Sequence, residues 1–223
     1  MENICNVITT LDPRLGGAGS ATIEISKALS SKKIKVTILT NDNKNSKFFK
    51  SNQVKIINLG NGFGNYNLSL KLFLWIRKNR KFYDTFIFHG LWQFNTLIAR
   101  FLLKDNFYVF SHGQLDPYFA TEKYKKIKKK IYWNLVEKFN MRKAKAMLLT
   151  NNSEKKSQEK SFVNVKNLKR KVINFGINAP KYNIKNLNKL FIKKFNFLKN
   201  KKNFIFLGRF HKKKGCDILI KSF

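Results

Sequence analysis

Short apolar runs alternate along the chain with longer stretches in which apolar residues recur every three or four positions. The runs Ile4–Thr9, Val36–Thr40, Val54–Leu59, Thr85–Phe88, Phe107–Ser111, Ala146–Thr150, Lys171–Asn174 and Asn203–Leu207 have strand length and predict strands. Between them the pattern predicts helices over 18–31, 68–80, 94–103, 122–143 and 154–160. In the first, Ala21, Ile25, Ala28 and Leu29 share one face. Strands that alternate with helices predict an α/β fold: a Rossmann-like parallel sheet with helices on both faces. Near-continuous apolar strands fit burial on two sides. Residues 1–180 read as one such domain. Residues 181–202 are rich in Asn and Lys and read as a linker, with a loose helix through Leu187, Leu190 and Phe191. Residues 203–223 read as the first strand, loop and helix of a second, truncated Rossmann-like domain, with Ile218, Leu219 and Phe223 on one helical face.

The segment "TEKYKKIKKKIYWNLVEKFNMRKA" is amphipathic in a particular way. Ile127, Ile131, Leu135 and Phe139 follow helical spacing, Tyr132 and Val136 widen the stripe, and lysines crowd its start. The stripe is expected to pack on the sheet and leave the lysines in water. The alternative is a basic helix lying on an anionic bilayer.

Composition sharpens this choice without settling it. Lys and Arg number 46 against 12 Asp and Glu, a net charge of +34. Such a charge points to an anionic membrane surface, to nucleic acid, or to compositional drift. The lysines are spread along the whole chain, and Lys, Asn, Ile and Phe are all heavily used, which favours drift. No helix-turn-helix, zinc-finger or RNP pattern is present, so nucleic acid is not the expected partner. Cys5 and Cys216 are far apart and belong to no CxxC motif, so both are expected to be reduced. The first residues lack the apolar core of a secretory signal, and no apolar stretch reaches transmembrane length. The expected location is therefore cytoplasmic, with peripheral contact at the inner face of the cell membrane as an option.

Candidate chemistry gathers just past the predicted strands. "LDPRLGGAGSA" follows the first strand, and Gly16, Gly17 and Gly19 would let backbone N–H groups approach an anion at a helix N-terminus. It is not GxGxxG, so the dinucleotide fingerprint is missing, and a merely tight turn would look the same. "FHGLW" and "SHGQLDPY" each place a histidine and a glycine after an apolar strand. His89 and His112 would share the carboxyl edge of the sheet with the glycine loop, as sugar or phosphate ligands or as half-buried structural groups. Asp116 could bond a hydroxyl or cap the next helix. In "GRFHKKKG", Arg209 can fork onto a phosphate, Lys214 can add a point charge, and Gly208 allows close approach. A solvated basic loop is the alternative.

Taken in order, these motifs resemble the family-4 glycosyltransferases of the GT-B fold. "GGAGSATIEISKALSSKKIKVTILT" is similar to that family's glycine loop, first helix and second strand. "FHGLW", "SHGQLDP" and a long helix ending "NMRKAKAMLLTNNSE" look like the subset acting on bacterial surface polysaccharides and lipopolysaccharide. "VINFGIN" is similar to the segment before the interdomain linker, and "GRFHKKKG" to the donor-diphosphate motif. The resemblance implies an acceptor-side domain followed by the start of a donor-binding domain. It implies retaining transfer of a sugar from a nucleotide diphosphate sugar to a glycan or lipid-linked acceptor. Arg209, Lys214 and Gly208 would hold the diphosphate, His112 would touch the donor sugar as the catalytic residue, and His89 and Asp116 would lie on the acceptor side. No cofactor and no metal are implied. The family's later Glu-x7-Glu region has no counterpart, so the chain alone is expected to be inactive. The other functional class that fits is a non-catalytic basic module binding anionic membrane or nucleic acid.

Overall fold

The structure, a computed structural model, describes residues 1–223 apart from 47, 50, 121, 122, 177–183 and 209. The first apolar run forms β1 (Asn3–Ile8), buried along nearly its whole length. It pairs in parallel with β2 (Lys35–Thr40) on one side and β4 (Thr85–His89) on the other. β3 (Lys55–Asn58) flanks β2, and β5 (Phe107–Phe110), β6 (Ala146–Leu149) and β7 (Arg170–Val172) extend the opposite side. Among the described residues this is one parallel sheet of order β3-β2-β1-β4-β5-β6-β7. The direction of winding reverses between β1 and β4. The crossovers before and after that point leave on opposite faces, so a crevice opens beyond the carboxyl ends of these two strands.

Both faces are covered, as the uninterrupted strands require. α1 (Gly17–Ser30) brings Ile23 against Ile8, Val36 and Ile38. α2 (Leu70–Asn79) and α3 (Phe94–Leu102) bring Leu72, Ile76, Ile98 and Ala99 against Cys5, Val7, Phe86 and Phe88. Phe88 meets Phe107 edge-on at 6.0 Å, an aromatic geometry favoured beyond simple area burial. α2 is ten residues long, and none of the described helices is long and apolar enough to cross a membrane.

The amphipathic segment departs from expectation. It forms α4 (Lys123–Tyr132), a π-helical turn over Trp133–Glu137, and α5 (Lys138–Lys143). Its Ile127, Ile131, Leu135 and Phe139 are exposed rather than packed on the sheet. The competing face carries the larger groups and is tied down by specific contacts. Trp133 and Met141 are buried in the main core. The Lys129 ammonium lies 5.5–5.9 Å from the ring centroids of Trp92, Phe119 and Phe162, and donates to the Phe119 carbonyl at 3.1 Å. The hydroxyls of Tyr132 and Tyr66 bond at 2.8 Å. Glu137, fully buried, accepts from Thr96 Oγ1 at 3.1 Å and Asn140 Nδ2 at 3.3 Å. The wide turn, holding one more residue than an α-turn, keeps both Trp133 and Glu137 facing inward.

The chain divides into two compact units, Met1–Ile177 and Asn178–Phe223. In the second, α6 (Ile184–Lys194) occupies the segment expected to be a linker, and α7 (Cys216–Lys221) forms where the helix after Gly215 was expected. Residues 203–207 form no strand. A strand is held by ladder partners, and none of the described residues pairs with them; Ile205 and Leu207 stand exposed.

Burial pushes the Glu137 carboxyl up to about 7, partly offset by its hydrogen bonds to Thr96 and Asn140. The folded state therefore keeps a proton that the unfolded chain releases near its ordinary value of 4.5. Stability from this group is complete below that value and is lost as pH rises through about 7, a cost of roughly 3 kcal/mol. Glu137→Gln is expected to raise the thermal midpoint by about 5–10 °C at alkaline pH and to leave it unchanged at about pH 4. Circular-dichroism melts of both proteins check this, and an equal effect at both pH values would refute it.

Candidate functional site

The crevice at the reversal point is a cavity of about 290 Å³. Its floor is the end of β1, Ile8 and Thr9. One wall is the turn into α1, with Asp12, Gly16 and Gly19. The other wall is the pair of turns after β4 and β5, with His89, Gly90, Gln93, His112 and Gln114. Parallel pairing places these strand ends on one edge: Ile8 lies beside His89, and His89 beside Phe110.

The two histidines form one hydrogen-bonded unit. His89 Nε2 faces Asn6 Oδ1 at 3.0 Å, an acceptor, so this nitrogen carries the proton. The Asn6 amide is oriented by donating to Ser26 Oγ on α1 at 3.0 Å. His89 Nδ1 then accepts from His112 Nε2 at 3.0 Å. Thr22 Oγ1, 3.2 Å from the same nitrogen, can give its proton to the Ala18 carbonyl at 2.8 Å. This network leaves His112 Nδ1 as a lone-pair acceptor with no hydrogen-bond partner among the described residues. Burial holds the His89 imidazole well below its ordinary value, reinforced by His112, and holds His112 at about 4 against the opposing pull of Glu154. Both rings are therefore neutral near pH 7. His112 can accept a hydrogen bond from a hydroxyl at Nδ1.

The pose of His112 is imposed from outside its own ring. Its φ is +47, a left-handed backbone that a histidine adopts at a cost of about 1 kcal/mol or more. The buried Glu154 carboxylate holds that turn. Its Oε1 accepts from Ser111 Oγ at 2.5 Å and from Gly113 N at 2.8 Å, the residues on either side of His112. Its Oε2 accepts from the N–H and hydroxyl of Thr150 at 2.7 and 2.8 Å, which ties the turn after β5 to the end of β6. Phe175 adds a ring contact to His112 at 5.5 Å.

The α1 wall suits an anion. The first turn of α1 has no acidic residue, and among the described residues no side chain caps its N–H groups. The three glycines of the loop do different work. Gly16 has φ +131, which favours glycine. Gly19 packs so closely that an added Cβ would lie 3.0 Å from Leu11 Cα. Gly17 has open space around it. Among the described lining residues Asp12 is the one carboxylate; it is held below its ordinary range chiefly by its side-chain hydrogen bond to Arg14, which pairs with it at 2.6 Å.

The remaining sequence-predicted residues lie elsewhere. Asp116 is absent from the cavity wall; its carboxylate accepts from Tyr118 N at 2.9 Å and Ser157 Oγ at 3.1 Å, capping the turn after it. Gly208 and Lys214 belong to the second unit, where Lys214 closes a short 3-10 turn before Gly215. Arg209 lies outside the described residues. Sequence reading passed over Gln93 and Gln114. Gln93 Oε1 accepts from the Thr9 hydroxyl, and Gln114 Oε1 accepts from Leu91 N at 2.5 Å. Each glutamine follows a His-Gly pair, Gln114 directly after Gly113 and Gln93 after Leu91 and Trp92, a proximity that could have marked them. Glu154 and Asn6 were likewise missed. Nothing in their own segments announces partners so distant in sequence.

No family model matches the chain, and no curated protein matches it in sequence. Among solved structures it is similar to sucrose-phosphate synthase from Thermosynechococcus elongatus, with 16% identity and a TM-score of 0.70, covering 100% of this chain and 59% of that one. It is similar to Anabaena HepE, solved in complex with UDP and glucose, with 16% identity and a TM-score of 0.62, covering 100% and 57%. It is also similar to WaaG, a glycosyltransferase involved in lipopolysaccharide biosynthesis, with 11% identity and a TM-score of 0.52, covering 91% and 53%. At such identities the likeness is one of fold: a seven-stranded parallel sheet flanked by helices, matching a GT-B Rossmann-like domain. The chain spans less than three fifths of the length of each of these neighbours.

The glycine geometry predicts a contrast. Gly19→Ala drives a methyl into Leu11 backbone, which cannot swing aside, and is expected to cost about 1–3 kcal/mol. Gly17→Ala meets nothing within 4 Å and is expected to change stability by less than about 0.5 kcal/mol. Urea unfolding midpoints decide it, and equal losses at the two positions would contradict the packing described.

Proposed function

We propose that the chain carries the acceptor-side domain, and the first part of the donor-side domain, of a retaining glycosyltransferase. Its donor is a nucleotide diphosphate sugar and its acceptor a hydroxyl of a glycan or lipid-linked saccharide, in surface polysaccharide or lipopolysaccharide synthesis on the cytoplasmic side of the membrane. One observation carries the reading: a single cavity at the sheet's reversal point joins an uncapped helix N-terminus to a neutral histidine with a free acceptor nitrogen. The resemblance of the ordered motifs and the fold shared with HepE and WaaG support it.

In this reading His112 Nδ1 accepts a hydrogen bond from a sugar hydroxyl and fixes the ring's orientation. His89 does not touch the sugar. It is a positioning residue that relays the orientation of Asn6 to His112. The α1 N-terminus and the Gly16–Gly19 turn face phosphate or acceptor oxygens. Arg209 and Lys214 would neutralise charge developing on the leaving diphosphate, and Gly208 would let that oxygen cluster approach the backbone. Neither a metal nor a cofactor is assigned a part.

Saturation-transfer NMR with a panel of nucleotide sugars, UDP-glucose among them, tests this on the chain as it stands. The sugar-ring protons of at least one donor are expected to receive saturation. His112→Ala is expected to weaken that signal about tenfold, the loss of one well-placed polar contact. Binding should be flat between about pH 6 and 8, because His112 is neutral across that range. If no nucleotide sugar binds, or if His112→Ala leaves the sugar signal intact, the assignment fails.

A further inference from the structure

Tyr124, Ile127, Ile131, Leu135 and Phe139 stand 42–76% exposed along the outer face of α4, the π-turn and α5. Spaced every three or four residues, they form an apolar ridge about 22 Å long. None of the described residues of α4 is buried. The helix cannot roll to hide the ridge, because its opposite face is tied down by Lys129 among three aromatic rings, by the Tyr132–Tyr66 bond and by buried Trp133 and Glu137. The neighbouring Phe101 of α3 is also exposed, and the Arg100 guanidinium lies 5.2 Å from the Phe139 ring centroid and 5.7 Å from that of Phe101.

The charge along the segment that carries the ridge is predominantly positive. From 123 to 143 the chain carries nine Lys and Arg and a single acid, Glu137, which is buried and faces inward. We infer that this face docks on an anionic lipid bilayer. A second copy would bring the same cations against one another. Nucleic acid would meet the lysines but has no counterpart for Ile127, Ile131 and Leu135. A bilayer surface satisfies both halves: acyl chains receive the ridge, and lipid phosphates meet Lys126, Lys128 and Lys130. This inference goes beyond the proposed transfer reaction and does not depend on it.

Co-sedimentation of the whole chain with phosphatidylcholine vesicles, with and without phosphatidylglycerol, is the test. Binding is expected to the anionic vesicles, to weaken with salt, and to be about tenfold weaker on phosphatidylcholine alone. The triple variant Ile127→Ser, Ile131→Ser, Leu135→Ser is expected to lose anionic-vesicle binding at least about tenfold with an unchanged thermal midpoint, since all three side chains are exposed. Phe63→Ser with Leu70→Ser removes exposed apolar groups elsewhere and should bind as the parent does. The inference is overturned if the triple variant binds vesicles like the parent, if lipid charge has no effect, or if the double variant loses as much. It is overturned equally if the triple variant abolishes a dimer seen by gel filtration, or an RNA complex tighter than the vesicle complex.

Discussion

Parallel pairing of β1 with both β2 and β4 is the constraint on which the rest depends. Parallel strands cannot be joined by tight turns, so each connection crosses a face of the sheet and returns to start the next strand at the same edge. Every carboxyl end therefore points one way. The reversal of winding beside β1 then parts the connections and leaves a cavity where Thr9, the α1 turn and the His-Gly turns converge. Site residues separated by more than a hundred positions are neighbours because the sheet order makes them so.

Within that frame the cavity is organised by polar groups buried beneath it. Asn6 points out of an otherwise apolar strand to meet Ser26 and His89, and so decides which imidazole nitrogen of His89 bears the proton. Glu154 spends both carboxylate oxygens on the backbone and hydroxyls of two strand-end turns and thereby holds His112 in a left-handed conformation. A buried, satisfied polar network of this kind costs desolvation but specifies one arrangement. The strain at His112 is tolerated because its neighbours on both sides are pinned.

The α4 region resolves a conflict between two amphipathic faces on one helix. One face offers a regular aliphatic stripe; the other offers Trp133, Met141 and polar groups whose partners wait on α3 and on the loops around Tyr66 and Trp92. Burying Glu137 is unfavourable in itself, and the aromatic enclosure of Lys129 removes part of an ammonium from water. Large aromatic burial, with the bonds of Glu137 to Thr96 and Asn140 and of Tyr132 to Tyr66, outweighs these costs, and the aliphatic stripe is left facing outward.

Much of the fold could be read from the order of residues alone. Each of the seven strands of the sheet overlaps a run predicted from the sequence; two-sided burial leaves an unmistakable local signature in β1, β4 and β6, whereas β7, Arg170–Val172, carries two cations and is only partly buried. The glycine loop and the His-Gly pairs were visible as chemistry at strand ends. What local pattern could not supply was the choice among partners. Whether Ile127 or Trp133 faces the sheet, whether Phe204 to Leu207 finds a strand to pair with, and whether Asp116 meets a ligand or caps a turn all depend on groups far away along the chain. The same holds for the acceptor role of His112, which follows from Asn6 more than a hundred residues earlier. Periodicity encodes which residues prefer burial. Only the tertiary structure decides which of several eligible faces is buried, since that outcome is a comparison of packing and hydrogen-bond energies between segments that the sequence keeps apart.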